Sequence, residues 1–107
     1  MSGRIRVSAK EDRTYQGITF ASKREMGEYI KLQALERSGI ISELRRQVAF
    51  PIMVNGTVVC KYIADFTCLD RAGRLQVYDA KGYATEMFKL KRKLFHAVYE
   101  DLRLVEL

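Results

Sequence analysis

The chain has 107 residues, of which 48% are hydrophobic, and its formal net charge is +6. This length fits one domain with a modest core, and the positive charge favours a polyanionic partner such as nucleic acid. No stretch approaches the ~20 apolar residues of a membrane span, and residues 1–14 lack the apolar segment of a signal peptide, so we expect a cytoplasmic protein with no membrane partner.

Residues 1–14 are predicted to be a flexible basic arm, and residues 15–107 a single domain. The first helix is predicted from Ser22 to Ser38, because Ser22 and Glu25 have the spacing of a capping box. Gly39 follows the last turn, where a glycine often ends a helix.

A set of β-prone segments and a second helix follow the first helix. Pro51 predicts an edge position or a bulge in the first strand, and Asn55-Gly56 predicts the hairpin turn after it. The predicted order is therefore α, β, β, β, α, β. In the sequence these elements are strands at residues 47–54, 57–69 and 74–81, a helix at residues 85–101 and a final strand at residues 103–107.

Acidic residues on the predicted strands point to a metal site. Asp79 and Lys81 are two residues apart and should share one face of their strand. A hairpin would bring Asp65 next to Asp79, and alternation predicts that Asp65 shares its face with Ile63 and Thr67. Two carboxylates can hold a hard divalent cation through oxygen ligands, and a nearby lysine can position or deprotonate an attacking water.

A zinc site or a disulfide is not expected. Cys60 and Cys68 would lie roughly 26 Å apart on one extended strand, well beyond disulfide reach. There is no CxxC motif, and His96 is the single histidine. Both cysteines are therefore predicted to be core thiols.

An ordered set of motifs resembles a known family over residues 15–99. The pattern is similar to the PD-(D/E)xK nuclease superfamily, and within it to small phage and prophage endonucleases. An acidic residue often precedes the Asp79 position in that superfamily, whereas this chain has Tyr78. The motifs are residues 17–25 (GITFASKRE), 39–44 (GIISEL) with Gln47, 62–66 (YIADF) and 79–82 (DAKG), followed by Thr85 and Lys91.

The resemblance implies an α/β fold with a restriction-endonuclease-like αβββαβ core, in which a three-stranded meander is flanked by helices. It also implies a Mg²⁺-dependent DNA endonuclease, with Mn²⁺ as a substitute and no organic cofactor. Asp65 and Asp79 would be metal ligands and Lys81 the catalytic lysine. Glu25 would complete the metal site, although a capping-box glutamate has a sufficient structural reason to be there.

Several polar side chains are candidates for nucleic-acid contacts. Lys91 falls at helical spacing between Phe88 and Phe95, which places it at the border of the packed face, where it could reach a phosphate. Gln47 could position the lysine or the water, or could simply start a strand. The full set of candidates is Lys23, Gln47, Lys89, Lys91 and Lys93.

Two alternatives stay open at the level of function. A branched-DNA enzyme, such as a Holliday-junction resolvase, would need a homodimer, because two scissile strands require two sites. A non-catalytic nucleic-acid-binding module with the same fold would show salt-sensitive affinity without metal-dependent products. Nothing in the sequence separates DNA from RNA as the substrate.

Overall fold

The computed structural model describes residues 8–80 and 85–107, so the predicted catalytic Lys81 lies outside the described residues. A short 3₁₀ helix, Lys10–Arg13, precedes a two-stranded hairpin, and a four-stranded sheet with two α-helices makes up the rest of the described chain. In chain order these elements are β1 (Thr14–Tyr15), β2 (Ile18–Thr19), α1 (Lys23–Arg37), β3 (Ser42–Val54), β4 (Thr57–Leu69), β5 (Leu75–Asp79), α2 (Glu86–Val98) and β6 (Leu104–Glu106).

The four-stranded sheet is mixed and has the order β3-β4-β5-β6. Strand β4 is antiparallel to β3 and to β5, whereas β6 is parallel to β5. Helix α2 lies between these parallel strands in the chain, as a parallel connection requires a long crossover. The α/β class is therefore confirmed, and Pro51 lies on an edge strand as predicted.

Helix α1 begins as its capping pattern predicts. Ser22 is the N-cap, and its hydroxyl accepts a hydrogen bond from the Glu25 backbone N–H at 3.0 Å. Ser38 is the C-cap, and Gly39 follows with a φ of 79°, a conformation that glycine adopts at little cost. This N-terminus places Glu25 in the first turn, 4% exposed, facing into the protein.

Two apolar cores lie on opposite faces of the sheet. In β5 the successive residues Val77 and Tyr78 pack into different cores, and successive strand residues point to opposite faces. The α2 core comprises Phe50, Ile52, Tyr62, Ala64, Val77, Phe95 and Leu104. The α1 core comprises Phe20, Leu32, Ile41, Phe66, Cys68 and Ala80.

The side-chain alternation of β4 inverts at Asp65. Ala64 packs in the α2 core and Phe66 in the α1 core, although an uninterrupted strand would place both on one face. Opposite this point Gln47 has a φ of 52°, yet the register on either side stays in step. The prediction that the residues on either side of Asp65 alternate without interruption is therefore wrong. Asp65 on β4 and Gln47 on β3 are irregular, and beyond them the side chains of both strands change to the opposite face of the sheet.

The N-terminal hairpin is tied to the domain through Arg13. Its Nε donates to the Ser8 carbonyl at 2.9 Å and its Nη1 to the Phe20 carbonyl at 2.5 Å. The predicted boundary between residues 14 and 15 falls inside β1. No helix in the described parts of the chain is long and apolar enough to cross a membrane.

Candidate functional site

Asp65 and Asp79 exchange hydrogen bonds between neighbouring strands. The Asp65 backbone N–H donates to Asp79 Oδ1 at 3.1 Å, and the Ala80 N–H donates to Asp65 Oδ2 at 2.9 Å. The regular β4–β5 pairing ends one step earlier, at Phe66 and Tyr78. The two side chains therefore continue the pairing where the backbones stop, and the predicted proximity of Asp65 and Asp79 is present.

Gln47 links two of the buried carboxylates. Its Nε2 donates to Glu25 Oε2 at 3.2 Å and to Asp65 Oδ1 at 3.3 Å. Gln47 itself is exposed, whereas Glu25 and Asp65 are 4% and 5% exposed. The glutamine amide therefore covers the two carboxylates from the solvent side and fixes their orientation.

Glu25 combines a capped backbone position with a buried side-chain contact. Its backbone N–H is capped by Ser22, and its carboxylate lies on the side of α1 that faces β3. Carboxylates also gain stability in the first turn of a helix, where the macrodipole is positive. The capping position and the contact with Gln47 are therefore compatible, because one uses the backbone and the other the side chain.

Arg46 belongs to this group of residues and was not expected from the sequence. Its Nη2 lies 3.9 Å from Glu25 Oε2, and its guanidinium carbon lies 4.5 Å from the centre of the buried Phe20 ring. Arg45 and Arg46 are adjacent and look alike in the sequence. Arg46 points inward because of the αL conformation at Gln47 and the register of β3. No local sequence pattern predicts that conformation or that register.

The donor chemistry suits a hard divalent cation. Carboxylate oxygens are the ligands that Mg²⁺ and Mn²⁺ prefer, and Asp79 is 0% exposed. Among the described residues, no group of three or more His, Cys, Asp or Glu side chains is arranged to hold a metal ion. Mg²⁺ is commonly held by one or two carboxylates together with water and substrate phosphate. The residues therefore fit a two-aspartate site better than a three-carboxylate cage.

The lysines predicted to contact nucleic acid lie on both helices. Lys23 is exposed at the start of α1, two residues before Glu25, and Lys91 is half-buried in α2. Lys89 and Lys93 are exposed on α2, and Lys89 forms an ion pair of 3.0 Å with Glu86. The two helices cover opposite faces of the sheet, so Lys23 and the α2 lysines belong to different layers.

Burial raises the pKa values of two residues in the α1 core, Cys68 and Tyr78. Desolvation raises the pKa of the Cys68 thiol above its ordinary value of 9.0. Desolvation, followed by the charge of Cys68 and a hydrogen bond to it, raises the pKa of the Tyr78 hydroxyl above 10.0. Both groups are therefore neutral at physiological pH. Cys68 is fully buried, Cys60 is half-buried, and both are free thiols.

Comparison with known proteins identifies a family without an assigned activity. A family model described as "Protein of unknown function (DUF1064)" matches residues 6–106. Searches of the curated proteins and of the solved structures found no match.

Proposed function

This chain belongs to the family described as "Protein of unknown function (DUF1064)", and we propose that it is a metal-dependent DNA endonuclease of the PD-(D/E)xK type with a restriction-endonuclease-like core. The observation that carries the proposal is the hydrogen-bonded group formed by Glu25, Gln47, Asp65 and Asp79. Burying carboxylates is costly, so three buried carboxylates in one group support a functional role, and the two aspartates offer the oxygen ligands that a divalent cation prefers.

In this proposal Asp65 and Asp79 hold the metal ion. Mg²⁺, or Mn²⁺ as its substitute, would stabilise charge on the phosphate and lower the pKa of a bound water. Gln47 keeps the Asp65 carboxylate oriented, and the Asp65 amide does the same for Asp79 Oδ1. Lys81 is proposed to position or deprotonate the attacking water. The resemblance implies a product with a 5′-phosphate.

Branched DNA is the finer substrate proposal. A Holliday-junction resolvase cuts two strands, and one copy of this chain would supply one site, so the active form on such a substrate would be a homodimer. The proposed location is the cytoplasm, that of a bacterial host if the chain is phage-encoded. The +6 charge supports a nucleic-acid partner without selecting the type.

One observation favours a second candidate function, a non-catalytic nucleic-acid-binding module. The reciprocal bonds of Asp65 and Asp79 satisfy backbone N–H groups that would otherwise be buried and unpaired. The two aspartates therefore have a structural reason to be present. The two candidates differ in whether any divalent-dependent product is formed.

A cleavage assay separates the two candidates. Linear, nicked, single-stranded and four-way-junction DNA, together with duplex RNA, would be incubated with the protein and Mg²⁺, Mn²⁺ or EDTA. The nuclease proposal predicts products with either metal and none with EDTA, and the preferred substrate would identify or exclude the resolvase activity. Binding without cleavage under every condition would favour the binding module.

A further inference from the structure

Arg46 lies beside the proposed site but has no role in the proposed metal binding or water activation. Its side chain is 26% exposed, so one part of the guanidinium is accessible from solvent. Its contact with Glu25 is 3.9 Å long, beyond hydrogen-bond distance. Arg46 therefore neutralises charge near Glu25 without committing its N–H groups to that carboxylate.

The guanidinium is also held in a fixed orientation at some cost. The Phe20 ring, 4.5 Å from the guanidinium carbon, is fully buried and offers no polar partner. Arg46 Nε is buried and has no hydrogen-bond partner in the described part of the chain. A buried donor left unpaired is destabilising, and such a group calls for a reason other than fold stability.

The charge and shape of the Arg46 guanidinium suit binding of a phosphate beside the carboxylates. Glu25, Asp65 and Asp79 are three buried carboxylates, and a cation beside them would offset part of their repulsion of a phosphodiester. Arginine presents a planar fork that matches phosphate oxygens. Stacking on Phe20 restricts the side chain before any ligand arrives, so less entropy is lost on binding.

We propose that Arg46 binds a backbone phosphate of the DNA at the cleavage site, and that the Phe20 ring holds its guanidinium in place for this contact. The inference rests on the proposed nuclease function, and it adds a substrate-binding residue to that site. Arg45, its neighbour, is exposed and forms a 3.7 Å ion pair with Glu43. Arg45 therefore provides a matched control for the loss of one positive charge.

The test measures DNA affinity rather than cleavage. Kd for a duplex oligonucleotide would be measured in Ca²⁺ over a range of KCl concentrations, for the wild type and for Arg46→Ala, Arg46→Gln and Arg45→Ala. Loss of one phosphate contact should weaken binding about tenfold and lower the slope of log Kd against log salt by about 1. Both Arg46 variants should show this change, whereas Arg45→Ala should keep the slope of the wild type.

Each result decides between the possibilities. Thermal unfolding identifies a misfolded variant, and Arg46→Gln retains an amide beside Glu25 if Arg46→Ala does not fold. An unchanged slope in a folded Arg46 variant, or an equal loss in Arg45→Ala, would overturn the proposal. If the wild type binds DNA but never cleaves it, the nuclease function is refuted, and the salt dependence of the Arg46 variants still tests the phosphate contact. Absence of DNA binding by the wild type would refute both.

Discussion

Gln47 combines an unfavourable backbone with a central side chain. A φ of 52° is in the left-handed region, which costs a residue other than glycine about 1 kcal/mol or more. Such conformations persist where the surrounding structure imposes them, and they concentrate at functional sites. Here the gain is an amide placed between Glu25 and Asp65.

Replacing Gln47 by glycine should separate backbone strain from side-chain function. Gln47→Gly relieves the left-handed backbone by about 1 kcal/mol, which should offset part of the roughly 1–3 kcal/mol lost when two buried carboxylates lose their donor. The carboxylates lose their orienting amide, so cleavage should fall roughly 10- to 100-fold. Single-turnover kinetics and urea unfolding measure the two effects.

Asn55 supplies the control for this change. It lies in the hairpin turn with a φ of 49°, away from the carboxylates, and Asn55→Gly makes the same kind of backbone change. That variant should cleave at the wild-type rate. Full activity in Gln47→Gly would show that the amide has no part in the site.

The raised pKa values of Cys68 and Tyr78 predict a stability change at alkaline pH. Both groups keep their protons in the folded state at pH values where the unfolded chain loses them, near 9.0 for the thiol and 10.0 for the hydroxyl. The contribution of these two groups to the free energy of unfolding should therefore be constant between pH 7 and about pH 9 and should fall as pH rises toward the raised pKa values.

Urea unfolding between pH 7 and pH 10.5 would measure this dependence. Tyr78→Phe and Cys68→Ala each remove one ionisable group, so each should give a shallower fall above pH 9 than the wild type. A wild-type free energy that does not change up to pH 10.5 would contradict the assignment of these shifts to burial.

At the scale of elements, the sequence predicted β4 at its full length, because a long β-prone run lies between two clear turns. The hairpin turn was also predictable, since Asn55 and Gly56 both have the positive φ that Asn-Gly favours. The predicted start of β3 at Gln47 is wrong by five residues. Residues 42–46 are mostly polar and include Glu43 with a φ of 51°, so no alternation marks them as a strand, and pairing with β4 decides their structure.

The N-cap of α1 should matter for stability and for the site together. Ser22→Ala removes the acceptor of the Glu25 N–H, and losing such a cap costs about 1 kcal/mol. Urea unfolding should show this loss. Ser42→Ala makes the same chemical change at an exposed position at the start of β3 and should change stability by less than about 0.5 kcal/mol. Equal stability of Ser22→Ala and the wild type would mean that the cap contributes nothing.

At the scale of the whole molecule, the site lies where four separate elements meet, α1, β3, β4 and β5. The proximity of Asp65 and Asp79 was predictable because two β-prone segments joined by a polar turn favour a hairpin. The position of Arg46 could not be predicted in this way. It depends on the reversal of strand faces at Gln47 and Asp65 and on the packing of Phe20. The carboxylates could therefore be identified from the sequence, whereas the position of the Arg46 side chain beside them required the tertiary structure.

The choice of variant for the central test follows from the hydrogen bonds. Alanine at position 79 would leave the buried Asp65 N–H without its acceptor, at a cost of about 1–3 kcal/mol. Asp79→Asn retains an oxygen at that place and removes the charge. Asp70→Asn is the matched control, because Asp70 caps the β4–β5 turn through the Ala72 and Arg74 amides.

The most direct measurement is the single-turnover rate of DNA cleavage by the wild type, Asp79→Asn and Asp70→Asn over a Mg²⁺ titration. The proposed function predicts a wild-type rate that rises with Mg²⁺ and saturates, an Asp70→Asn rate close to it, and an Asp79→Asn rate lower by a factor on the order of 10³ or more. Cleavage by Asp79→Asn at the wild-type rate, or wild-type cleavage that persists in EDTA, would contradict it.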